Sequence, residues 1–495
     1  MNICEAIEKN AQRRPDHPAI MDGNGDVMTY SEYWQLVNSW ATALQNKGIG
    51  AQDIIGVNLQ DTSNHLIALY AIPLSGAVIL PMDWRWTNNE KIRILRHFGA
   101  RFVLSEPKDS IFNVKGPWKH IEINKSWEKL VCVQQPKLDL SESVDSPLVL
   151  ALSSGTTGTP KGPMITQQQF LARFMIYFIT VGFSERDRFL CATPLYFGGC
   201  RGYSMCTLFA GGTVLLHPLP YEAFELLTFA NNNLATRLFL VPTLLRRLMN
   251  IKGGTPEIPL FNSLKLLFST GADLHEAERN ELMQRFCPRY LNFYGSTDGG
   301  GCSALMWDDP KHVSNSVGRP VFGVSINIVD EFDLPVPVGV VGRIRYRHPG
   351  TANAYYKNKR ESEKTFKDGW YYPGDLGRLD EQGYLFLAGR EIDLIIRGGV
   401  NIYPNEIEDI LTSHSAILEA AVVGWPSTEF GQEIAAFVLL NPKEKHTQVS
   451  HIEEHCRQNL ASYKVPREIF LIDEMPKSGV GKVLKRKLSD RLDSL

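Results

Sequence analysis

An apolar run, Leu148 to Leu152, leads directly into Ser153-Ser154-Gly155-Thr156-Thr157-Gly158-Thr159-Pro160-Lys161-Gly162, and few folds accommodate that junction. Asp145-Ser146-Pro147 bounds the run on one side and the glycines bound it on the other, so it reads as a buried strand feeding a loop. Three glycines let the backbone take positive φ and come close to a ligand, the Ser and Thr hydroxyls donate hydrogen bonds, and Lys161 adds a mobile positive charge. Those parts suit a polyphosphate; taken alone, the segment also reads as a flexible polar loop. It is not a Walker A loop, because no Gly-x-x-x-x-Gly-Lys-Ser/Thr spacing runs through it.

Around this junction the chain alternates helical and strand-like stretches. Tyr33, Leu36, Val37, Trp40, Ala41 and Leu44 recur at helical spacing, Ile54 to Leu59 reads as a strand, and a helical segment follows from Asn64. Similar strand-like runs occur at Phe102 to Leu104, Leu238 to Val241 and Leu264 to Ser269, which makes the fold class α/β. Short alternating strands from Val317 to His348 predict a small β-barrel-like subdomain, and an α+β pattern resumes near the C-terminus. With 495 residues the chain has room for about three domains. A net charge of -2 argues against nucleic acid as a partner, and the eight cysteines, with no Cys-x-x-Cys pair, fit a reducing cytoplasmic setting better than zinc or a disulfide framework. The most apolar window, Leu66 to Leu80, is broken by Pro73 and predicts buried core, not an integral membrane segment.

The segment SSGTTGTPKG resembles the phosphate-loop signature of the adenylate-forming superfamily: acyl-CoA and aryl-CoA ligases, peptide-synthetase adenylation domains and luciferases. Further matching segments follow in order: Tyr294-Gly-Ser-Thr-Asp298, Tyr372-Pro-Gly-Asp-Leu-Gly377, Gly389-Arg390, Arg397 through Glu408, and Pro476-Lys-Ser-Gly-Val-Gly-Lys482. The chain is most similar to the acyl- and aryl-CoA ligases. That resemblance implies an N-terminal adenylation domain over residues 1–389, built from two α/β subdomains and the β subdomain. A hinge at 390–393 and a mobile α+β domain over 394–495 would follow.

The resemblance also implies site residues. Ser153, Ser154, Gly155, Thr156, Thr157, Gly158, Thr159, Lys161 and Thr297 would bind phosphate, and Gly271, Ala272, Tyr294 and Gly295 would border the adenine. Asp375 would hold the ribose and Arg390 the ribose or phosphate, Asp298 would hold Mg²⁺, and Lys482, with Thr297 and Lys161, would catalyse adenylation. The acyl pocket would be lined by Phe197, Gly198, Arg201, Gly271, Ser296 and Gly301. Arg201 reads either as a partner for a second carboxylate or polar tail of the substrate or as a structural arginine, and Gly299 to Gly301 either as a flexible turn or as a widening of the acyl tunnel. The chain departs from the family pattern at Phe197, often histidine, at Asp298, usually glutamate, and at Ile392, commonly Asp or Lys.

The implied reaction is ATP-dependent ligation of a small carboxylic acid to CoA through an acyl-adenylate, releasing AMP and pyrophosphate. One alternative loads the acid onto the phosphopantetheine of an acyl carrier protein, and a homodimer is compatible with either. A second alternative, prompted by the three departures, is a non-catalytic nucleotide-binding protein.

Overall fold

The helix Ser63–Leu74 is apolar on every side, and His65 through Leu74 are all buried. It packs on the helices Ile3–Arg13, Tyr30–Asn46 and Gly198–Ala210 and on the strands Ile54–Asn58 and Val78–Pro81, which is where an all-round hydrophobic helix has to sit. The structure, a computed structural model, describes residues 2–107, 109–132, 145–152, 161–218, 220–271, 274–398, 400–427, 429–444, 446–477 and 483–492. The statements below concern these residues.

Two sheets flank this region. The first runs in the order Lys119–Glu122, Phe102–Ser105, Ile54–Asn58, Val78–Pro81, Pro147–Leu150, Met164–Thr166, parallel except for its last pair. Its central strand is buried along its whole length, as parallel strands covered on both faces are. The second sheet has nine strands, whose inner members Pro18–Met21, Thr213–Leu216, Arg188–Cys191, Arg237–Phe239, Leu266–Ser269 and Tyr290–Ser296 are mutually parallel. One hydrophobic core joins both sheets: Ile55, Ile79 and Leu104 from the first share a cluster with Ile20, Phe189 and Phe268 from the second.

A third sheet, Ser325–Val329, Gly342–Arg347, Phe366–Lys367, Trp370–Tyr371, Asp375–Leu379 and Leu385–Arg390, is the small β subdomain that the alternating pattern predicts. The last sheet, Ile395–Arg397, Val400–Ile402, Ile417–Ser427, Gly431–Leu440 and Glu468–Leu471, carries the helices Pro404–Ser413, Val449–Asn459 and Lys485–Leu492 and has hydrophobic clusters of its own. The fold is therefore α/β, with a large N-terminal part and a small C-terminal α+β part. One local difference matters for the site. Gly300 and Gly301 are not a loose turn, because they open the strand Gly300–Leu305, which pairs antiparallel with Tyr290–Ser296.

Candidate active site

The hairpin formed by Tyr290–Ser296 and Gly300–Leu305 organises the site. It slips register between Tyr294 and Gly295, and a Cβ on Gly295 would stand 2.5 Å from the Gly300 carbonyl oxygen, so the close approach there requires glycine. Ser296 closes the turn: its Oγ accepts the Gly299 N–H at 2.8 Å and donates to Tyr371 Oη at 3.0 Å. His348 braces the other side. Its Nε2–H donates to the Gly299 carbonyl at 2.7 Å while Nδ1 accepts the Gly350 N–H at 3.0 Å, a pairing open only to the neutral ring. Burial and the nearby Arg173 hold its pKa down to about 4. Arg173, buried on the helix Gln167–Thr180, donates to the carbonyls of Gly350 (2.8 Å), Thr297 (3.0 Å) and Asp298 (3.0 Å).

One end of this hairpin meets the β subdomain. Tyr294 Oη donates to Asp375 Oδ2 at 2.5 Å, and Arg390 Nε lies 2.9 Å from Asp375 Oδ1. Asp375 and Arg390 are register partners on adjacent strands, so the sheet itself sets their pairing. Burial, with the Asp375 carboxylate beside it, raises the Tyr294 pKa far above its ordinary range and keeps the phenol a donor.

At the other end, Tyr355 Oη donates to Asp298 Oδ2 at 2.6 Å, and Asp298 is only 7% exposed. Lys161, the first described residue after the glycine-rich segment, pairs with Glu361 and has its Nζ 5.5 Å from the centre of the Tyr355 ring. The hydrogen bond from Lys161 holds the Glu361 carboxyl below its usual range. Glu361, Lys161, Tyr355 and Asp298 thus form one continuous polar chain. No group of three or more His, Cys, Asp or Glu able to hold a metal occurs among the described residues. A lone buried carboxylate suits an ion that takes one protein ligand and completes its octahedron with phosphate oxygens and water, as Mg²⁺ does on a nucleotide.

The residues expected at the acyl end divide by what fills the space beside them. Phe197 lies stacked on Phe239, with centroids 6.3 Å apart and planes at 11°. A Cβ on Gly301 would meet the Phe293 ring at 2.5 Å, and one on Gly202 would touch Tyr177 at 3.5 Å, so aromatic rings fill both positions. Gly198 and Gly271 are open: a Cβ on the first would find only Arg201 Nη2, at 3.8 Å, and one on the second would find nothing within 4 Å, although its φ of +97° disfavours any side chain. Arg201 is buried, 3% exposed, and donates from Nη1 to the Tyr196 carbonyl at 2.6 Å. Ser296 spends its hydroxyl inside the hairpin turn.

Residues 153–160, Ala272 and Lys482 lie outside the described residues. Sequence reading missed four contributors to the site. Tyr355, Glu361 and His348 follow no motif, and their partners lie 57, 200 and 49 positions away in the chain. Arg173 carried one usable signal, a lone arginine inside the apolar stretch Phe170 to Phe183.

The chain matches the AMP-binding enzyme family over residues 7–356 and the AMP-binding enzyme C-terminal domain over 406–482. It is 29% identical to the indoleacetate–CoA ligase of Aromatoleum aromaticum, covering 98% of this chain and 97% of that protein. It is 28% identical to the fatty acid–[acyl-carrier-protein] ligase ScoC of Streptomyces coeruleorubidus, covering 99% and 96%. In three dimensions it superposes on the anthranilate CoA ligase AuaEII in complex with anthranoyl-AMP with a TM-score of 0.90 at 25% identity, covering 100% of this chain and 98% of that one.

Proposed function

This chain belongs to the AMP-binding enzyme family, and from that premise we propose that it joins a carboxylic acid to the thiol of CoA at the expense of ATP, through an acyl-adenylate. The observation that carries this reading is the single hairpin that offers Tyr294 to Asp375, itself paired with Arg390, at one end and Asp298 to Tyr355, over whose ring Lys161 sits, at the other. A nucleotide lying along it would meet sugar-binding groups and phosphate-binding groups at once.

In the first step the substrate carboxylate attacks the α-phosphorus of ATP and pyrophosphate leaves. An anion is attacking a polyanion, so catalysis requires fixed positive charge and hydrogen-bond donors where negative charge accumulates. We assign the phosphate-facing donors to residues 153–162 and Thr297, and cationic charge to Lys161 and Lys482. Asp298 would hold Mg²⁺, which when bound polarises phosphoryl oxygens as a Lewis acid. Asp375 and Arg390 would orient the ribose, and Tyr294, held by its hydrogen bond to Asp375, would present its ring to the adenine. In the second step the CoA thiol attacks the acyl carbonyl and AMP departs, the mixed anhydride supplying the driving force.

We further assign residues 390–393 as a hinge on which the C-terminal part, 394–495, turns between the steps. Arg390 ends a strand and Glu391–Asp393 is a single 3₁₀ turn, with Ile392 68% exposed. The C-terminal part also has an open cavity of about 550 Å³ lined by Arg397, Arg457 and Arg467 together with Glu433, which pairs with Arg397 and Arg467.

The test is pyrophosphate release across a panel of carboxylic acids, with and without CoA. Sustained turnover only with CoA is expected, and Lys482→Ala is expected to abolish it. A second reading, transfer to a carrier-protein phosphopantetheine, draws on the likeness to ScoC. Release that ignores CoA and responds to a carrier protein would select it. Lys482→Ala releasing pyrophosphate at the normal rate would remove the mechanism altogether.

A further inference from the structure

Arg201 occupies the first turn of the helix Gly198–Ala210, immediately after Phe197, and is 97% buried by its 3% exposure. A guanidinium does not give up its proton in a protein, so burying one without a counter-charge is costly. Among the described residues no Asp or Glu forms an ion pair with Arg201, and the charged or ionisable groups close enough to act on it or be acted on by it include Tyr177, His65 and a second arginine, Arg173. Among the described residues its one hydrogen bond runs from Nη1 to the Tyr196 carbonyl, and the buried Nε has no acceptor there. Nη2 faces Gly198, one of the two positions at this end of the site with room beside them. His65, fully buried and near enough to feel the Arg201 charge, also leaves its Nε2 unpartnered.

Arg173 shows what a satisfied buried arginine looks like in this fold, since it donates to three carbonyls. Arg201 keeps an unused fork edge, Nε with Nη2, which is the edge that grips a carboxylate through two parallel hydrogen bonds. The surroundings combine the Phe197–Phe239 stack, the Tyr177 ring and glycines with His65 and Arg173, and none of these side chains offers Arg201 a negative charge. A phosphate would demand more donors than one fork supplies; a single carboxylate at the far end of an acyl group would be matched.

Resting on the ligase reading above, we propose that Arg201 determines specificity by binding a second carboxylate, so that the preferred substrates are dicarboxylic acids. The reacting carboxylate is adenylated while the other stays ionised against Arg201, and no bond to it is made or broken.

The experiment measures pyrophosphate release in the presence of CoA for pairs of acids matched in carbon skeleton, aliphatic and aryl, one member of each pair carrying a second carboxylate. The wild-type enzyme is expected to favour the dicarboxylic member in kcat/KM by about a hundredfold or more, because a site built to hydrogen-bond a group rejects analogues that lack it. Arg201→Met is expected to raise KM for dicarboxylic acids far more than for monocarboxylic ones, so that the dicarboxylic preference in kcat/KM falls toward one, with Arg201→Lys intermediate. Preference of the wild type for monocarboxylic acids, or equal loss on both classes in Arg201→Met, overturns the proposal while the ligase reading stands. Failure of every acid to release pyrophosphate overturns both. If Arg201→Met does not fold, the wild-type preference is decisive, read together with whether a dicarboxylic acid without ATP raises the melting temperature more than its monocarboxylic partner.

Discussion

The nucleotide end and the acyl end of the site are built on opposite plans. Around Asp298 and Asp375 nearly every polar group already has a partner: Tyr355 on Asp298, Tyr294 and Arg390 on Asp375, Arg173 across three carbonyls, and His348 using both ring nitrogens. Around Arg201 the walls are aromatic and a buried guanidinium nitrogen has no acceptor. The first arrangement is preorganised and would change little on binding. The second is incomplete until a substrate arrives, and incomplete polar sites are where discrimination is obtained. The paired arginines sharpen the point: both are buried, both lie on helices beside the site, and they differ in how many acceptors they meet.

The largest effect that would probe this contrast is in catalysis. Asp298→Asn is expected to lower the rate of pyrophosphate release by about a hundredfold to a thousandfold, the usual result of losing one preorganised electrostatic group, with little change in melting temperature. A variant that only unfolds would contradict the preorganised reading of this end.

Arg173→Leu comes next and acts on stability. It strips the donors from three carbonyls in the interior, a loss of about 3–5 kcal/mol, which for a cooperative unit this large a thermal melt would register as roughly 5 °C. The acidic flank of the stability profile should follow. His348 and His65 are both kept neutral, mainly by burial, down to about pH 4. An unfolded chain would protonate them near 6.5, so the unfolded state binds more protons between those values and stability falls as pH drops from about 6.5 toward 4, by on the order of 3 kcal/mol per histidine at most. Above that window neither contributes a slope. Melting temperatures of wild type and His348→Gln from pH 7.5 to 4.5 would check this, and the variant should have the shallower decline. The smallest effect belongs to Arg201→Met. Removing a buried cation that has no counter-charge among the described residues is expected to leave the melting temperature unchanged or a few degrees higher. If Arg201→Met melted as early as Arg173→Leu, the contrast between the two ends would collapse.

Much of this arrangement is visible in the sequence, and the remainder is hidden for physical reasons. Buried strands announce themselves as short apolar runs, and the structure extends or trims them by a residue or two: the run at Leu148 becomes Pro147–Leu150, because the Ala151 N–H bonds to Pro163, which has no N–H to carry the ladder on. Tyr294, Asp375 and Arg390 come together as adjacent motif positions suggest they should, since a strand register joins two of them. Tyr355 and Glu361 could not be found that way. Their value to the site arises because Tyr355 and the short helix Lys359–Thr365, which carries Glu361, return over Lys161 and Asp298, a tertiary contact that leaves no periodicity behind. The glycines misled for a related reason: Gly295 and Gly301 look alike in sequence, yet one is required by a neighbouring carbonyl and the other by a phenylalanine ring.

The single core that runs through both α/β sheets has a calorimetric consequence. Ile55 and Phe268 stand in different sheets but in one cluster, so neither sheet can lose its packing alone, whereas the C-terminal part keeps separate clusters and meets the rest chiefly where the helix Pro404–Ser413 touches the strand Leu385–Arg390. Heating should therefore give two endotherms of unequal size, the smaller from the last hundred or so residues. A ligand that bridges both parts would draw the two peaks toward one, so their separation becomes a gauge of how firmly the halves are coupled.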